Sequence, residues 1–419
     1  MIPISPLLMS YLVVFFVGVG LELLLTGINV RHLRKHGHRV PETFEGFIDG
    51  DKLSKITDYT IENQRFGTFT SCLGNVLFLS IVLFGVLPWL LQHVEGMGMG
   101  VITSGIIFFT ILSVVQGLFS LPFNYYKTFV IEQRYGFNTS TLKIWVTDIL
   151  KGMVVGSIIG GILLVSILLL IEHGGHLWWL WAWLVFFAFQ LLMLILYPTV
   201  IAPWFNKFFP LEDEALETQV KGIMHQSGLS VSGVFKMDAE KRSKHTNAYF
   251  TGLGKTKRIV LFDTLLTSHS HGEIIAILAH EVAHWKKRHV VQNLLLISLV
   301  SFLLFYSTSW LLKWPAMYET FGFDHGVSYV GLLLVGVLWE VVGQFFGPLG
   351  GAISRRFERE ADSYAAQLLQ RPADLISALK RLASDNLSNL YPHPLYAWVY
   401  YSHPPLLRRI QHLETISSG

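Results

Sequence analysis

The residues best equipped for chemistry stand together in Ile274–His289, IIAILAHEVAHWKKRH, where His280, Glu281 and His284 take the spacing H-E-x-x-H. Residues four apart on an α-helix sit one turn above each other, so both imidazoles leave the same face and can close on one Zn²⁺. Glu281, beside the first of them, can reach a water in an open coordination position and serve as general base. The preceding Ile274, Ile275, Ala276, Ile277, Leu278 and Ala279 are packing residues uninterrupted by Pro or Gly, which makes a helix the natural carrier. The pattern is short, and the chain holds 17 His. Its competitor is a helix with two unrelated histidines.

A catalytic zinc usually has three protein ligands. The segment SRRFEREADSYAAQLL (354–369) offers Glu358 and Asp362, four apart on one face beside the apolar stripe Phe357, Ala361, Tyr364, Ala365 and Leu368. Glu358 could bind the metal, with Asp362 accepting the N–H of a ligand imidazole. The plain alternative is a surface helix with Glu, Arg and Asp in solvent pairs. Helical geometry does not separate Glu358 from Glu360, which points to the other side of the stripe.

The elements that must position these residues are set by a bilayer. Of 419 residues, 52% are hydrophobic and only 15% charged, and the mean hydropathy is positive. A soluble protein carries closer to a quarter charged residues. Seven apolar runs are long enough to cross, about 20 residues each: Leu8–Val30, Phe66–Leu91, Val101–Leu121, Met153–Ile171, Leu177–Ile201, Val291–Leu312 and Tyr329–Ala352. Lys and Arg alternate between their connections, heavy in the first, third and fifth and in the C-terminal tail, absent or nearly so in the others. By the positive-inside rule the odd-numbered loops and the C-terminus are cytoplasmic. Two spans separate His284 from Glu358, and an even number of crossings returns the chain to the same side, so these groups can meet. The net charge of +3 is small. The single cysteine, Cys72, permits no intrachain disulfide and no Cys zinc cluster. No cleavable signal peptide is evident, because the first apolar run is too long and lacks a basic start.

The expected organisation is residues 1–202 as spans 1–5 with their loops, 203–290 as a cytoplasmic metalloprotease part, 291–353 as spans 6 and 7, and 354–419 as a second cytoplasmic part. In the fifth loop, Glu212–Gln226 reads as an amphipathic helix, Gly233–Met237 as a strand, and Asn247–Phe250 and Arg258–Phe262 as two strands joined by the turn-prone TGLGKTK. Beyond the spans, Ser354–Leu369, Leu375–Leu382 and Pro404–Leu413 read as helical. Gly254-Lys255-Thr256 has the ending of a phosphate-binding loop, but Tyr249 stands where the motif needs glycine, so a turn is expected and no nucleotide. His32, His36 and His38 read as a solvated basic loop ahead of a second metal site. No internal repeat of the transporter kind is visible.

Taken with LPFNYYKTFVIEQRYGFN (121–138), YPTVIAPWFNKFFPL (197–211), KRSKHTNAYFTGLGKTKRIVLFDTLL (241–266), LAHEVAHWKKRH (278–289), SRRFEREAD (354–362) and YSHPPLLRRI (401–410), the chain resembles the type I CaaX prenyl endopeptidases, seven-span gluzincin-type membrane zinc metalloproteases. The motifs occur in the family's order and cover nearly the whole chain. The resemblance implies a mainly α fold of seven helices around a chamber, plus a cytoplasmic α+β protease domain with one Zn²⁺ per chain. It makes His280, His284 and Glu358 the ligands, Glu281 the general base and Asp362 the outer acceptor. Asn247, Ala248 and Tyr249 match the family's substrate-pairing edge strand. His403 and Arg409 match its H-P-x-x-x-x-R element, placed to stabilise the oxyanion; without the resemblance, His403 would read as a capping or packing residue. Glu22, Glu340 and Gln344 lie inside spans and suit either a chamber wall or interhelical hydrogen bonds.

The expected function is peptide-bond hydrolysis by a zinc-activated water. Its partners are the bilayer and a peptide or protein substrate, in the family often prenylated at a C-terminal Cys, with no nucleic acid and no nucleotide. CaaX-type processing and broader membrane-protein quality control are both within this reading. The expected location is a bacterial inner membrane, or the endoplasmic-reticulum membrane in a eukaryote. The rivals are a heat-shock-type membrane zinc protease relative, which usually has fewer spans, a transporter or channel, and an inactive relative that binds lipidated proteins.

Overall fold

The computed structural model describes residues 2, 4–229, 232–252 and 258–417. The spans are carried by α1 (Pro6–His36), α2 (Gly50–Leu83), α3 (Val101–Tyr126), α4 (Leu142–His173) and α5 (Trp178–Leu196). Next come α6 (Glu214–Gln226), α7 (His271–Lys286), α8 (His289–Leu311), α9 (Ser328–Gly343) and α10 (Gly347–Leu369). The C-terminal part adds α11 (Pro372–Asp385), α12 (Pro394–Tyr400) and α13 (Leu406–Ser417). All seven expected crossings have a helix long and apolar enough. Their outer faces are bare apolar surface; Leu295, Leu299 and Leu303, one turn apart on α8, are 61%, 57% and 53% exposed.

Several helices outrun their apolar runs. Asp49 caps α2 by accepting from Lys52 N–H, so the helix starts 16 residues before the hydrophobic stretch and carries polar residues the sequence suggested were loop. Gly85, at φ +75°, breaks the second run into α2 and a short helix Val86–Glu95. His32 and His36 lie on the last turns of α1 with ring centroids 4.2 Å apart, so they are helical and not part of a loop. In four of the seven spans only 6% of the most apolar window is buried. Such helices cover little of their apolar surface with protein. Glu22 is half-buried and accepts from Ser71 Oγ at 3.1 Å, tying α1 to α2, whereas Glu340 and Gln344 are exposed.

The extramembrane part holds a four-stranded sheet of order β1 (Phe208–Pro210), β2 (Val234–Met237), β4 (Arg258–Phe262) and β3 (Ala248–Thr251). β1 pairs antiparallel with β2, β2 parallel with β4, and β3 antiparallel with β4. The turn expected at 251–257 lies outside the described residues from residue 253 onward, and the Gly254-Lys255-Thr256 segment with it. Against the sheet pack Leu216 and Val220 of α6 and Ile274, Leu278 and Val282 of α7. These α7 residues recur at the four-residue spacing of one helix face. The other face of α7 presents Ala276 and Ala279 to Ala365 and Ala366 of α10. Side chains this small let two helix backbones approach closely.

Candidate active site

α7 begins with a reciprocal cap. The Ser270 hydroxyl accepts from Glu273 N–H, and the Glu273 carboxylate accepts from Ser270 N–H at 2.8 Å. The same carboxylate accepts from Ser377 Oγ at 2.6 Å and Arg381 Nε at 3.1 Å, both on α11. Burial alone would raise the Glu273 pKa, but these donors hold it down at about 2. α7 is therefore fixed at its start, along its sheet face and along its alanine face, and its C-terminal half carries His280, Glu281 and His284.

Three donor groups converge. His280 Nε2 lies 3.3 Å from Glu358 Oε2, His284 Nε2 lies 3.4 Å from Glu358 Oε1, and the two Nε2 atoms are 3.3 Å apart. Ligands about 2.05 Å from a tetrahedral ion stand about 3.35 Å from one another. The two imidazole nitrogens stand at that spacing, as does each of them from its nearer Glu358 oxygen, and one ligand atom from each residue lies within 4.8 Å of the others. Glu358 Oε2 is buried and accepts no hydrogen bond of proper geometry, although His403 Nδ1 stands 2.8 Å from it. A buried carboxylate oxygen left unsatisfied among imidazole nitrogens is what a cation would complete. Two His and one Glu suit zinc in type and number. Among the described residues this is the one His/Cys/Asp/Glu group so arranged. Glu360 is turned elsewhere, accepting from Arg356 Nε at 2.8 Å.

Asp362 is fully buried and accepts from His280 Nδ1 at 2.8 Å. Its two oxygens also take Arg409 Nε at 2.9 Å and Nη2 at 2.7 Å. Burial would lower the Arg409 pKa, but the Asp362 carboxylate overrides it and raises it, with Glu358 and Glu281 adding to the effect. His280 behaves likewise: burial pushes its pKa down, while the Asp362 and Glu358 carboxylates beside its two ring nitrogens raise it to about 9. His403 sits in the loop before α13 with its side chain 60% exposed. Arg409, on α13, is tied up by Asp362 and has only Nη1 near Glu358, at 3.8 Å. Glu281 is half-buried beside His280. β3 is an edge strand of the sheet, and Phe250 on it lies 5.2 Å from the Trp285 ring of α7, so the edge runs alongside the site helix. Asn247 lies just before that strand, which runs one residue later than the expected Asn247–Phe250; its side chain accepts from Ala248 N–H and its carbonyl from Phe262 N–H. Tyr249, in the middle of the strand, is half-buried.

One contact had no counterpart in the sequence reading. His289, 2% exposed, places Nδ1 3.1 Å from His284 Nδ1 and Nε2 3.1 Å from Glu360 Oε2. It is five residues beyond His284, a spacing no single helix would bring face to face.

Two family models match the chain in tandem. One is described as CAAX prenyl protease N-terminal, five membrane helices, over residues 29–207, and the other as peptidase family M48, over residues 210–417. CAAX prenyl protease 1 of Saccharomyces cerevisiae is 33% identical, covering 90% of this chain and 89% of its own length. This chain belongs to the CAAX prenyl protease 1 family. The Homo sapiens CAAX prenyl protease 1 homolog is 31% identical over 92% of this chain and 91% of its own. The crystal structure of S. mikatae Ste24p aligns with a TM-score of 0.92 at 30% identity, covering 98% of this chain and 100% of that one. The chain is thus a multi-pass membrane metalloprotease, and neither the heat-shock-type nor the transporter reading is favoured.

Proposed function

We propose that the chain is a zinc endopeptidase whose metal, one ion per chain, is held by His280, His284 and Glu358. The observation that carries this is the convergence of one ligand atom from each of these three residues to within 4.8 Å of the others, with the two imidazole Nε2 atoms 3.3 Å apart over the buried Glu358 carboxylate. Zinc bound there supplies a Lewis acid that polarises the scissile carbonyl. Glu281 takes a proton from the attacking water and delivers it to the leaving amine. Asp362 holds the His280 ring through Nδ1, and Arg409 holds Asp362 by two hydrogen bonds. His403, whose side chain is 60% exposed beside Glu358, is the donor we assign to the developing oxyanion. Arg409 supports the same charge from behind it.

Asn247, Ala248 and Tyr249 receive an extended substrate on the edge of β3, where backbone hydrogen bonds accept many sequences. The protease part is assembled from 203–290 and 354–419, the two spans of 291–353 looping out between them. The Lys and Arg asymmetry of the connections supports a cytoplasmic side for this part. The substrate class we favour is a peptide ending in a CaaX sequence with an isoprenoid on its Cys, with unprenylated membrane-associated chains as the broader alternative.

The test uses the purified chain in detergent and one CaaX-ending peptide with and without a farnesyl group, cleavage being followed by mass spectrometry with Glu281→Gln as blank. Cleavage of the farnesylated peptide alone is expected. Cleavage of both makes the enzyme a broader endopeptidase. Cleavage of neither by zinc-loaded protein overturns the substrate assignment.

A further inference from the structure

His284 faces two ways. Its Nε2 points at Glu358 and His280, and its Nδ1 points at His289 Nδ1, 3.1 Å away. His289 is among the most deeply buried imidazoles of the chain. Its ring lies flat on Phe357, with centroids 4.1 Å apart and planes within 11°, and its Nε2 meets Glu360 Oε2 at 3.1 Å. The backbone is arranged for this contact. α7 ends at Lys286, Arg288 adopts the left-handed conformation at φ +58°, and α8 starts at His289. A non-glycine residue at positive φ is uncommon and is held by its surroundings. Here the turn swings the first residue of α8 back under His284.

The proton assignments then follow one from another. A neutral imidazole that offers Nε2 to a cation carries its hydrogen on Nδ1. That N–H can only donate to His289 Nδ1, which must be an unprotonated acceptor. His289 therefore carries its hydrogen on Nε2, and the Glu360 carboxylate is there to accept it. Arg356, bonded to the other Glu360 oxygen at 2.8 Å, keeps that carboxylate aimed inward. His280 is treated differently, since its Nδ1 donates straight to the Asp362 carboxylate.

We propose that His289 is the positioning residue for His284, with Glu360 fixing the His289 tautomer, so that the two imidazoles of the metal site are oriented by separate relays, one ending on Asp362 and one on Glu360. The proposal rests on the reading that His284 is a metal ligand. Groups that orient ligand imidazoles typically change metal affinity by about 10–100-fold when removed.

The experiment measures zinc affinity by competition with a chromophoric chelator on the purified full chain in detergent, alongside the unfolding midpoint of the zinc-free protein. His289→Phe keeps a flat ring on Phe357 but has no acceptor for His284, and should weaken zinc binding about 10–100-fold. His289→Gln has an oxygen to accept and an amide to donate, and should stay within about threefold of the parent. Glu360→Gln should fall between them, and the zinc-free midpoint should track none of these differences. The relay is overturned if His289→Phe binds zinc as tightly as the parent. It is equally overturned if Phe and Gln variants lose affinity and zinc-free stability together, which would make the residue a packing element. Parent protein that binds no zinc removes both the relay and the proposed function. Parent protein that binds zinc but cleaves no peptide removes only the function, and a normal cleaver whose affinity ignores His289→Phe removes only the relay.

Discussion

Asp362→Asn is the substitution that most sharply separates metal alignment from stability. The native carboxylate receives three N–H groups, from His280 Nδ1 at 2.8 Å and from Arg409 Nε and Nη2 at 2.9 and 2.7 Å, in a position with no solvent exposure. An asparagine offers one acceptor oxygen to these three donors and turns its own N–H₂ against at least one of them. The Arg409 side chain, only 12% exposed, keeps its charge and loses its nearest counter-ion, with Glu358 left at 3.8 Å. Removing one partner of a buried ion pair costs about 3–5 kcal/mol. Losing the charged acceptor of His280 should weaken zinc by about 10–100-fold, which is about 1.4–2.7 kcal/mol. The two losses can be told apart by adding Arg409→Met. With both charges gone the unfolding midpoint should recover most of its loss, while zinc affinity stays low because His280 still lacks its carboxylate. Chelator competition and thermal unfolding in detergent read the two quantities on the same samples. Parent-like zinc affinity in Asp362→Asn would refute the alignment argument, and a double variant no more stable than the single would refute the unpaired-charge argument.

Three further expectations can be checked with the same preparations. Glu281→Gln should hold zinc within a few-fold of the parent while peptide turnover drops by about 10²–10⁴, the usual contribution of a general acid–base group; equal turnover in that variant would remove Glu281 from the mechanism. The His280 pKa of the zinc-free fold is raised from 6.5 to about 9, and zinc must displace that proton. Apparent zinc affinity should therefore fall about tenfold per pH unit as pH drops below 9, and the same group stabilises the zinc-free fold below pH 6.5, a contribution lost as pH rises through 9. Titration of affinity against pH gives the slope, and a flat profile contradicts it. Glu273, depressed from 4.5 to about 2, contributes stability that is present above pH 4.5 and lost as pH falls towards 2. Glu273→Gln retains a capping acceptor but no charge, so it should lower the unfolding midpoint at neutral pH and flatten its acid limb.

Hydropathy and the H-E-x-x-H spacing made the seven crossings and the site helix legible, because lipid and metal each impose a period on the chain. Hydropathy marks only the stretch that lipid touches. It could not show that α2 begins at Gly50, or that the helix read over Ser354–Leu369 already starts at Gly347, inside the seventh apolar run. Those extensions are stabilised by caps and by contacts between protein parts, such as the Glu62 carboxylate of α2 taking Arg134 and the Tyr135 hydroxyl. β1 escaped notice for a different reason: three residues ending in Pro210 carry no alternation. His289 escaped because its position depends on one left-handed residue, Arg288, whose conformation nothing in KKRH announces.

The choice between Glu358 and Glu360 shows where periodicity stops and packing begins. Both glutamates flank the same apolar stripe, and a helical wheel gives neither an advantage. The distinction comes from how closely α7 and α10 can approach. Ala276 and Ala279 on one helix meet Ala365 and Ala366 on the other, and larger residues there would hold the axes apart. With the helices this close, Glu358 Oε1 and Oε2 come within 3.4 Å of the two imidazoles, while Glu360 falls on the flank where α8 begins and meets His289 instead. Residues with no chemistry of their own thus govern how closely Glu358 approaches the two imidazoles of the proposed metal site, while Glu360 meets His289. Enlarging Ala279 to Leu, though it changes no candidate ligand, should separate α7 from α10 and cost both zinc affinity and about 1–3 kcal/mol of stability by overpacking. Parent-like zinc binding in that variant would show that the approach of these helices does not set the site.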